Sequence, residues 1–155
     1  MTGPLGRISP MKIYTIGFTK KNAESFFETL RNSGARRVID VRIHNVSQLS
    51  GFSKRDDLAY FCRTVLGIDY LHMPELGPTD ELFDAYKKKG GAWKDYERAF
   101  NALLKTRAIE KYLDKKEFDG ACLLCTEDWP DHCHRRLVAE YLAERWEEVE
   151  VEHLV

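Results

Sequence analysis

Residues 121–126 read Ala-Cys-Leu-Leu-Cys-Thr, an apolar run that meets no strongly polar residue before its last position. A strand with one face in water alternates apolar and polar residues, whereas a strand covered on both faces is apolar throughout. Covered strands of this kind are typical of parallel sheets. The run is therefore predicted to be a central strand of a parallel sheet.

Four further segments carry strand patterns, and helical patterns separate them. Residues 12–17, 37–42 and 70–73 are short and apolar or β-branched, and residues 149–153 alternate as in a half-exposed edge strand. Each connection is long enough for a helical crossover, the last of them with Asp131 as the expected helix cap. The sequence predicts an α/β fold, a three-layer Rossmann-like domain of about five mostly parallel strands with helices on both faces.

Composition fits one globular domain. The chain has 155 residues, of which 43% are hydrophobic and 32% charged, with a net charge of -1. This charge provides no overall attraction to nucleic acid or to an anionic membrane, and no segment is predicted to cross a membrane. Residues 1–10 are expected to be a cloning scar or disordered lead, and residues 11–155 the domain. Four cysteines without a secretory leader favour free thiols in a reducing cytoplasm.

Reactive side chains follow several of the predicted strands. Because ligands of open parallel sheets bind outside the carboxyl ends of the strands, these side chains are expected to share one site. The site is predicted from residues at four positions along the chain: Asp40 and Arg42, Glu75, Cys125 and Glu127, and finally Cys133, His134 and Arg135 at the start of the last helix.

Several of these residues belong to longer motifs. The chain contains Tyr-Thr-Ile-Gly-Phe-Thr, Ile-Asp-Val-Arg, Pro-Glu-Leu-Gly, and Leu-Leu-Cys-Thr-Glu followed by Cys-His-Arg. In this order the motifs resemble a prokaryotic family catalogued as domain of unknown function 488, over about residues 11–154. That family typically has a histidine after the first glycine, where this chain has Phe18. The resemblance implies a bacterial or archaeal origin and no particular reaction.

The leading functional hypothesis is an enzyme, a hydrolase or transferase, or a ligand-sensing domain for a phosphate-bearing small molecule or nucleotide. Arg42 and Arg135 would hold the anion at the start of the last helix, with Glu75 and His134 as further binding groups. Proton transfer would fall to Asp40 and Glu127, with Cys133 or Cys125 as a thiol in the site. The positive end of the helix dipole is expected to lower the pKa of Cys133, provided that its sulfur is not turned into the core.

Two other classes of function compete with this hypothesis. A nucleic-acid-binding module without catalysis would use Arg36, Arg37, Lys54 and Arg55 around a loop at residues 44–52. In a purely structural domain, the same polar side chains would form ion pairs that hold helix to sheet, such as Arg135 with Asp40 or Glu127.

The cysteines also invite comparison with metal sites. Cys122-x-x-Cys125 followed by His132, Cys133 and His134 resembles zinc spacing. Residues three apart on a strand face opposite sides, so Cys122 and Cys125 cannot bind one ion together. The sequence therefore predicts no cofactor and no tightly bound metal, while a Cys125–Cys133 redox pair stays open. An aromatic stripe with helical spacing is predicted to belong to the core: Trp93, Tyr96 and Phe100.

Overall fold

The apolar run of residues 121–126 contains a strand that lies in the middle of a sheet. The computed structural model describes residues 10–46 and 51–155, so most of the predicted lead and residues 47–50 of the predicted nucleic-acid loop lie outside it. The strands are β1 (Met11–Gly17), β2 (Arg37–Asp40), β3 (Asp69–His72), β4 (Ala121–Cys125) and β5 (Val149–Leu154). They form one parallel sheet in the order β3-β2-β4-β1-β5, which confirms the central position of β4 and the edge position of β5.

Helices connect the strands. They are α1 (Ala23–Ser33), α2 (Arg55–Phe61, continued by a π-helical segment Cys62–Leu66), α3 (Asp80–Lys87), α4 (Trp93–Arg107), α5 (Ile109–Tyr112), α6 (Lys115–Phe118) and α7 (His134–Arg145). Within residues 10–46 and 51–155, none of the helices combines the length and the apolar composition that crossing a bilayer requires.

The helices cover both faces of the sheet, as the three-layer prediction requires. On the first face, α1 and α2 pack on side chains of the central strands, with a core that includes Phe26, Leu30, Leu58, Cys62 and Cys122. On the second face, α4, α6 and α7 form a core that includes Phe100, Phe118, Leu137, Val138 and Cys125. The prediction that Cys122 and Cys125 face opposite sides is confirmed.

Strand register decides which strand-end residues can meet. Asp40 pairs with Leu124, and Cys125 pairs with Gly17 on the other neighbouring strand. Paired residues of neighbouring strands point to the same face, and successive residues alternate. Asp40 therefore points to the first face with Leu124, while Cys125 points to the second. The sheet thus separates two groups that the sequence predicted to share one site.

The last helix begins later than predicted. Asp131 was expected to cap it, but this prediction is wrong, because α7 starts at His134 with Cys133 as its N-cap residue. The peptide N–H of Cys133 donates to the carbonyl of Pro130 at 3.2 Å, so residues 130–133 form a turn of their own. Cys133 consequently lies before the helix, next to the end of β4.

Candidate functional site

A small pocket opens on the second face at the carboxyl end of β4. It has a volume of about 70 Å³. Its walls are formed by the end of β4, the loop that follows, the start of α7, and aromatic side chains of α3 and α4. Four of the eight predicted site residues line it: Cys125, Glu127, Cys133 and His134.

Two thiols and an imidazole form the floor of this pocket. One ligand atom from each of Cys125, Cys133 and His134 lies within 4.8 Å of the others, and all three residues are buried. Among the described residues, no other three His, Cys, Asp or Glu side chains are grouped closely enough to hold a metal ion. The loop of residues 126–132 brings Cys133 back beside Cys125, so a pair eight residues apart in sequence becomes adjacent.

The orientation of the His134 ring is set by the backbone. Its Nε2 atom lies 2.9 Å from the carbonyl oxygen of Val41. A carbonyl only accepts, so Nε2 carries the proton and Nδ1 is left as the lone-pair nitrogen of the neutral ring. The sulfur of Cys125 is 3.5 Å from both ring nitrogens, and it therefore packs against the face of the ring.

The pKa values of the two pocket thiols are shifted in opposite directions. Burial raises the pKa of Cys125. Three effects oppose it: a hydrogen bond from the Cys133 thiol, one from the Thr126 peptide N–H, and the positive charge of Arg135. Together they leave the pKa of Cys125 below its ordinary value. The pKa of Cys133 lies well above its ordinary value because of burial and its hydrogen bond to Cys125. The lowering of the pKa expected for Cys133 required a sulfur outside the core, and this condition is not met because Cys133 is buried; the favoured thiolate is Cys125.

Arg135 holds the loop that carries Glu127. The side chain is fully buried, its Nε atom donates to the Thr15 hydroxyl at 3.1 Å, and its terminal nitrogens donate to the carbonyls of Glu127 and Asp128. It pairs with neither Asp40 nor the Glu127 carboxylate. Its donors are directed at the backbone, and Arg135 does not belong to the pocket wall.

The same loop is fastened to the end of β1. The Thr19 peptide N–H and hydroxyl both donate to the carbonyl of Thr126, at 3.1 and 2.6 Å. Lys21, whose side chain is 6% exposed, forms an ion pair with Asp128 at 2.5 Å. These contacts add to those from Arg135 of α7, so that the backbone at Glu127 is held by both α7 and the segment after β1.

The rim of the pocket carries one ion pair and several aromatic rings. The ammonium group of Lys87 lies 3.1 Å from the carboxylate of Glu127. His132 stacks on Trp93 with ring centroids 4.9 Å apart and an interplanar angle of 22°. The other walls include Phe83, Tyr86 and Tyr96.

Sequence reasoning missed most of this rim. Phe83 and Tyr86, like Trp93 and Tyr96, are three residues apart on a helix, and that spacing could have identified two facing aromatic edges. The prediction for the stripe on α4 is confirmed for Phe100 and Tyr96, which are buried. Trp93 is only partly buried and lines the pocket.

Asp40 and Arg42 form a buried ion pair on the first face. Two nitrogens of Arg42 donate to the two carboxylate oxygens of Asp40, each at 2.8 Å. The pair is also tied to its surroundings: the Tyr70 hydroxyl donates to Asp40, and Arg42 donates to the carbonyl of Ser53 at 2.7 Å. Both residues are buried, and neither lines the pocket at Cys125. The geometry is that of a structural ion pair that fastens the end of β2 to the neighbouring segments.

Glu75 also lies apart from the pocket. It is exposed in a short 3-10 turn after β3, and its carbonyl accepts a hydrogen bond from Arg107 at 2.5 Å. Of the basic residues in the nucleic-acid hypothesis, Arg37 lies 4.0 Å from Asp69 and Arg55 lies 3.1 Å from Asp56. Acidic partners thus reduce the positive charge that this surface offers.

Comparison with known proteins identifies a family. A family model described as "Domain of unknown function DUF488" matches residues 22–142, well over half of the chain. The matched range contains the end of β4, the loop that follows it, and most of α7. Neither the curated proteins nor the solved structures gave a significant match.

Proposed function

We propose an enzymatic function for this chain, which belongs to the family described as Domain of unknown function DUF488: hydrolysis or group transfer on a small molecule held in the pocket at Cys125. One observation carries the proposal. Two thiols, an imidazole and a carboxylate line one pocket at the carboxyl end of the central parallel strand, where ligands of such sheets bind.

The roles follow from position. Cys125, Cys133 and His134 lie on the floor and form the reacting centre, with Glu127 on the wall as the group that accepts or returns a proton. The aromatic rings of Tyr86 and Trp93 would hold an apolar or planar part of the substrate. Buried thiols suit a reducing cytoplasm, where they stay unpaired.

This site differs from the anion clamp expected from the sequence. Arg42 and Arg135 direct their donors at Asp40 and at backbone carbonyls. Lys87 is the cation of the pocket wall, and it lies beside Glu127. A substrate with one negative group at the rim is therefore favoured over one whose phosphate occupies the floor.

The test is turnover of chromogenic substrates that report two reaction types, p-nitrophenyl acetate and p-nitrophenyl phosphate. We expect the reduced chain to release p-nitrophenol from one of them faster than buffer does. Cys125→Ser and Glu127→Gln should each remove most of this activity. Glu24→Gln, at an exposed carboxylate on α1, is the matched control and should retain it.

Two results would contradict the proposal. One is turnover no faster than in buffer with either substrate, in protein whose fold is verified by circular dichroism. The other is activity that is the same in the wild type and in Cys125→Ser, because the pocket would then contribute nothing to the reaction.

A further inference from the structure

We propose that Cys125, Cys133 and His134 bind one Zn²⁺ ion and leave its fourth coordination position open to the pocket. The inference deepens the proposed function, on which it rests, by naming the cofactor of the reacting centre. It also revises the prediction that the chain binds no metal tightly. That prediction rested on the finding that Cys122 and Cys125 cannot bind one ion together.

The donor set is the first support. Thiolate sulfur and imidazole nitrogen are the ligands that zinc prefers in proteins, and two cysteines with one histidine and a solvent molecule form a known type of catalytic site. The three ligand atoms lie within 4.8 Å of one another. All three residues are at least nine-tenths buried: Cys125 is 5% exposed, Cys133 4% and His134 6%.

The second support is the contact behind the histidine. Metal-binding histidines usually donate their other ring N–H to a carboxylate or a backbone carbonyl, which fixes tautomer and orientation. His134 has this contact, because Nε2 donates to the carbonyl of Val41 at 2.9 Å. Nδ1 is then the nitrogen available to an ion.

The metal would require one local movement. In a tetrahedral site with Zn–S of about 2.3 Å and Zn–N of about 2.0–2.1 Å, sulfur and nitrogen are about 3.5 Å apart. The Cys125 sulfur is 3.5 Å from Nδ1, but it lies against the ring face. Binding therefore turns this one side chain toward the lone pair of Nδ1, while the backbone on both sides is held by Arg135 and by the end of β1.

The open position gives the ion a role in the proposed reaction. The protein supplies three ligands, so a solvent molecule or a substrate atom completes the coordination, as in catalytic rather than structural zinc sites. Glu127, Tyr86 and Trp93 line the space on this side of the trio. An oxygen atom of a bound substrate could thus reach the ion from the pocket.

The experiment is metal titration of the full-length chain after reduction and removal of bound metal. Zn²⁺ affinity is measured by competition with a chromophoric chelator, and Co²⁺ is added separately to record thiolate charge-transfer and tetrahedral d–d absorption. We expect one ion per chain. Cys125→Ser, Cys133→Ser and His134→Ala should each weaken binding by about 100-fold or more, above the loss typical of outer-shell changes.

Cys62→Ala is the matched control, because Cys62 is a buried thiol on the first face and should leave the affinity unchanged. No stoichiometric binding, or equal binding by the wild type and Cys125→Ser, would overturn the inference. The proposed function fails separately. If zinc does not bind but Cys125-dependent turnover occurs, only the metal is lost, and if zinc binds without turnover, the site is structural and the proposed reaction is lost.

Discussion

The carbonyl oxygen of Glu127 lies so close above Gly17 that a β-carbon added to Gly17 would be 1.6 Å from it. The loop after β4 therefore crosses the end of β1 at a distance that only glycine permits. The Arg135 guanidinium donates to the same carbonyl, and one of its nitrogens lies 3.0 Å from the position of that added β-carbon. Backbone contact and side-chain donor together fix the wall of the pocket that carries Glu127.

Gly17→Ala should displace this loop. The clash is with backbone, which cannot rotate away, so we expect destabilisation of roughly 3 kcal/mol, the upper end for overpacked sites. Urea denaturation measures it, and turnover should fall as well. Gly51→Ala, where an added β-carbon meets no atom of the described residues within 4 Å, is the control. Equal stability of the two variants would show that the loop does not rest on Gly17.

Arg135→Met should lower the free energy of unfolding by about 2–6 kcal/mol, because the carbonyls of Glu127 and Asp128 would each lose a donor at about 1–3 kcal/mol. Methionine keeps much of the length of the side chain and removes the donors. Arg98→Met, at an arginine whose side chain is 78% exposed, should change stability by less than about 0.5 kcal/mol. A stable Arg135→Met variant would contradict the assignment of these hydrogen bonds to holding the loop.

Asp40→Asn tests the assignment of the first-face ion pair to structure. Removing one charge of a buried pair typically costs about 3–5 kcal/mol, since it leaves Arg42 without its counter-ion. Asp95→Asn, in an exposed pair with Arg98, should cost no more than about 1 kcal/mol. Turnover per folded molecule should be unchanged in Asp40→Asn. Loss of activity with full stability would contradict this assignment and indicate that Asp40 takes part in the reaction.

Stability should also depend on His153. The Thr15 hydroxyl accepts from Arg135 and is also hydrogen-bonded to Nδ1 of His153 at 2.6 Å, so it links the two side chains. Burial and the charges of Arg135 and Arg136 lower the pKa of His153 below its ordinary 6.5, against an opposing effect of Asp131.

The pKa of His153 is lower in the folded state than in the unfolded state. Its contribution to stability is therefore complete above pH 6.5 and is lost as the pH falls through the folded-state pKa. Urea denaturation of the wild type at a series of pH values should show this loss, and His153→Gln should show less of it. Identical pH dependence in both proteins would contradict the assignment.

The sequence predicted the fold well where local chemistry decides it. The run Ala121–Cys125 is buried at all five positions, as its composition predicted. Asn22 accepts from the Ser25 peptide N–H at 2.7 Å and begins α1, and Gly34 ends that helix in the left-handed region at φ 78°. Each of these features depends on a few neighbouring residues.

The site was harder to predict because it depends on register and on a loop. Asp40 and Cys125 both end strands of one sheet edge, but the alternation of neighbouring positions sends them to opposite faces, and no local pattern sets that register. Asp131 has the chemistry of a cap, yet the turn at Pro130 delays the helix to His134. This delay brings Cys133 beside Cys125, and so forms the group of side chains proposed as the reacting centre.

The most direct measurement of the central claim is the rate at which iodoacetamide modifies each cysteine of the native, metal-free chain at neutral pH, followed by peptide mass spectrometry. All four thiols are buried, and none of them forms a disulfide. Only Cys125 and Cys133 line the pocket, and the favoured thiolate is Cys125. The account predicts modification of Cys125 at least about tenfold faster than of Cys62 and Cys122, with Cys133 slower than Cys125. If Cys125 is modified no faster than Cys122, and only as the chain unfolds, the assignment of the functional site to this pocket is contradicted.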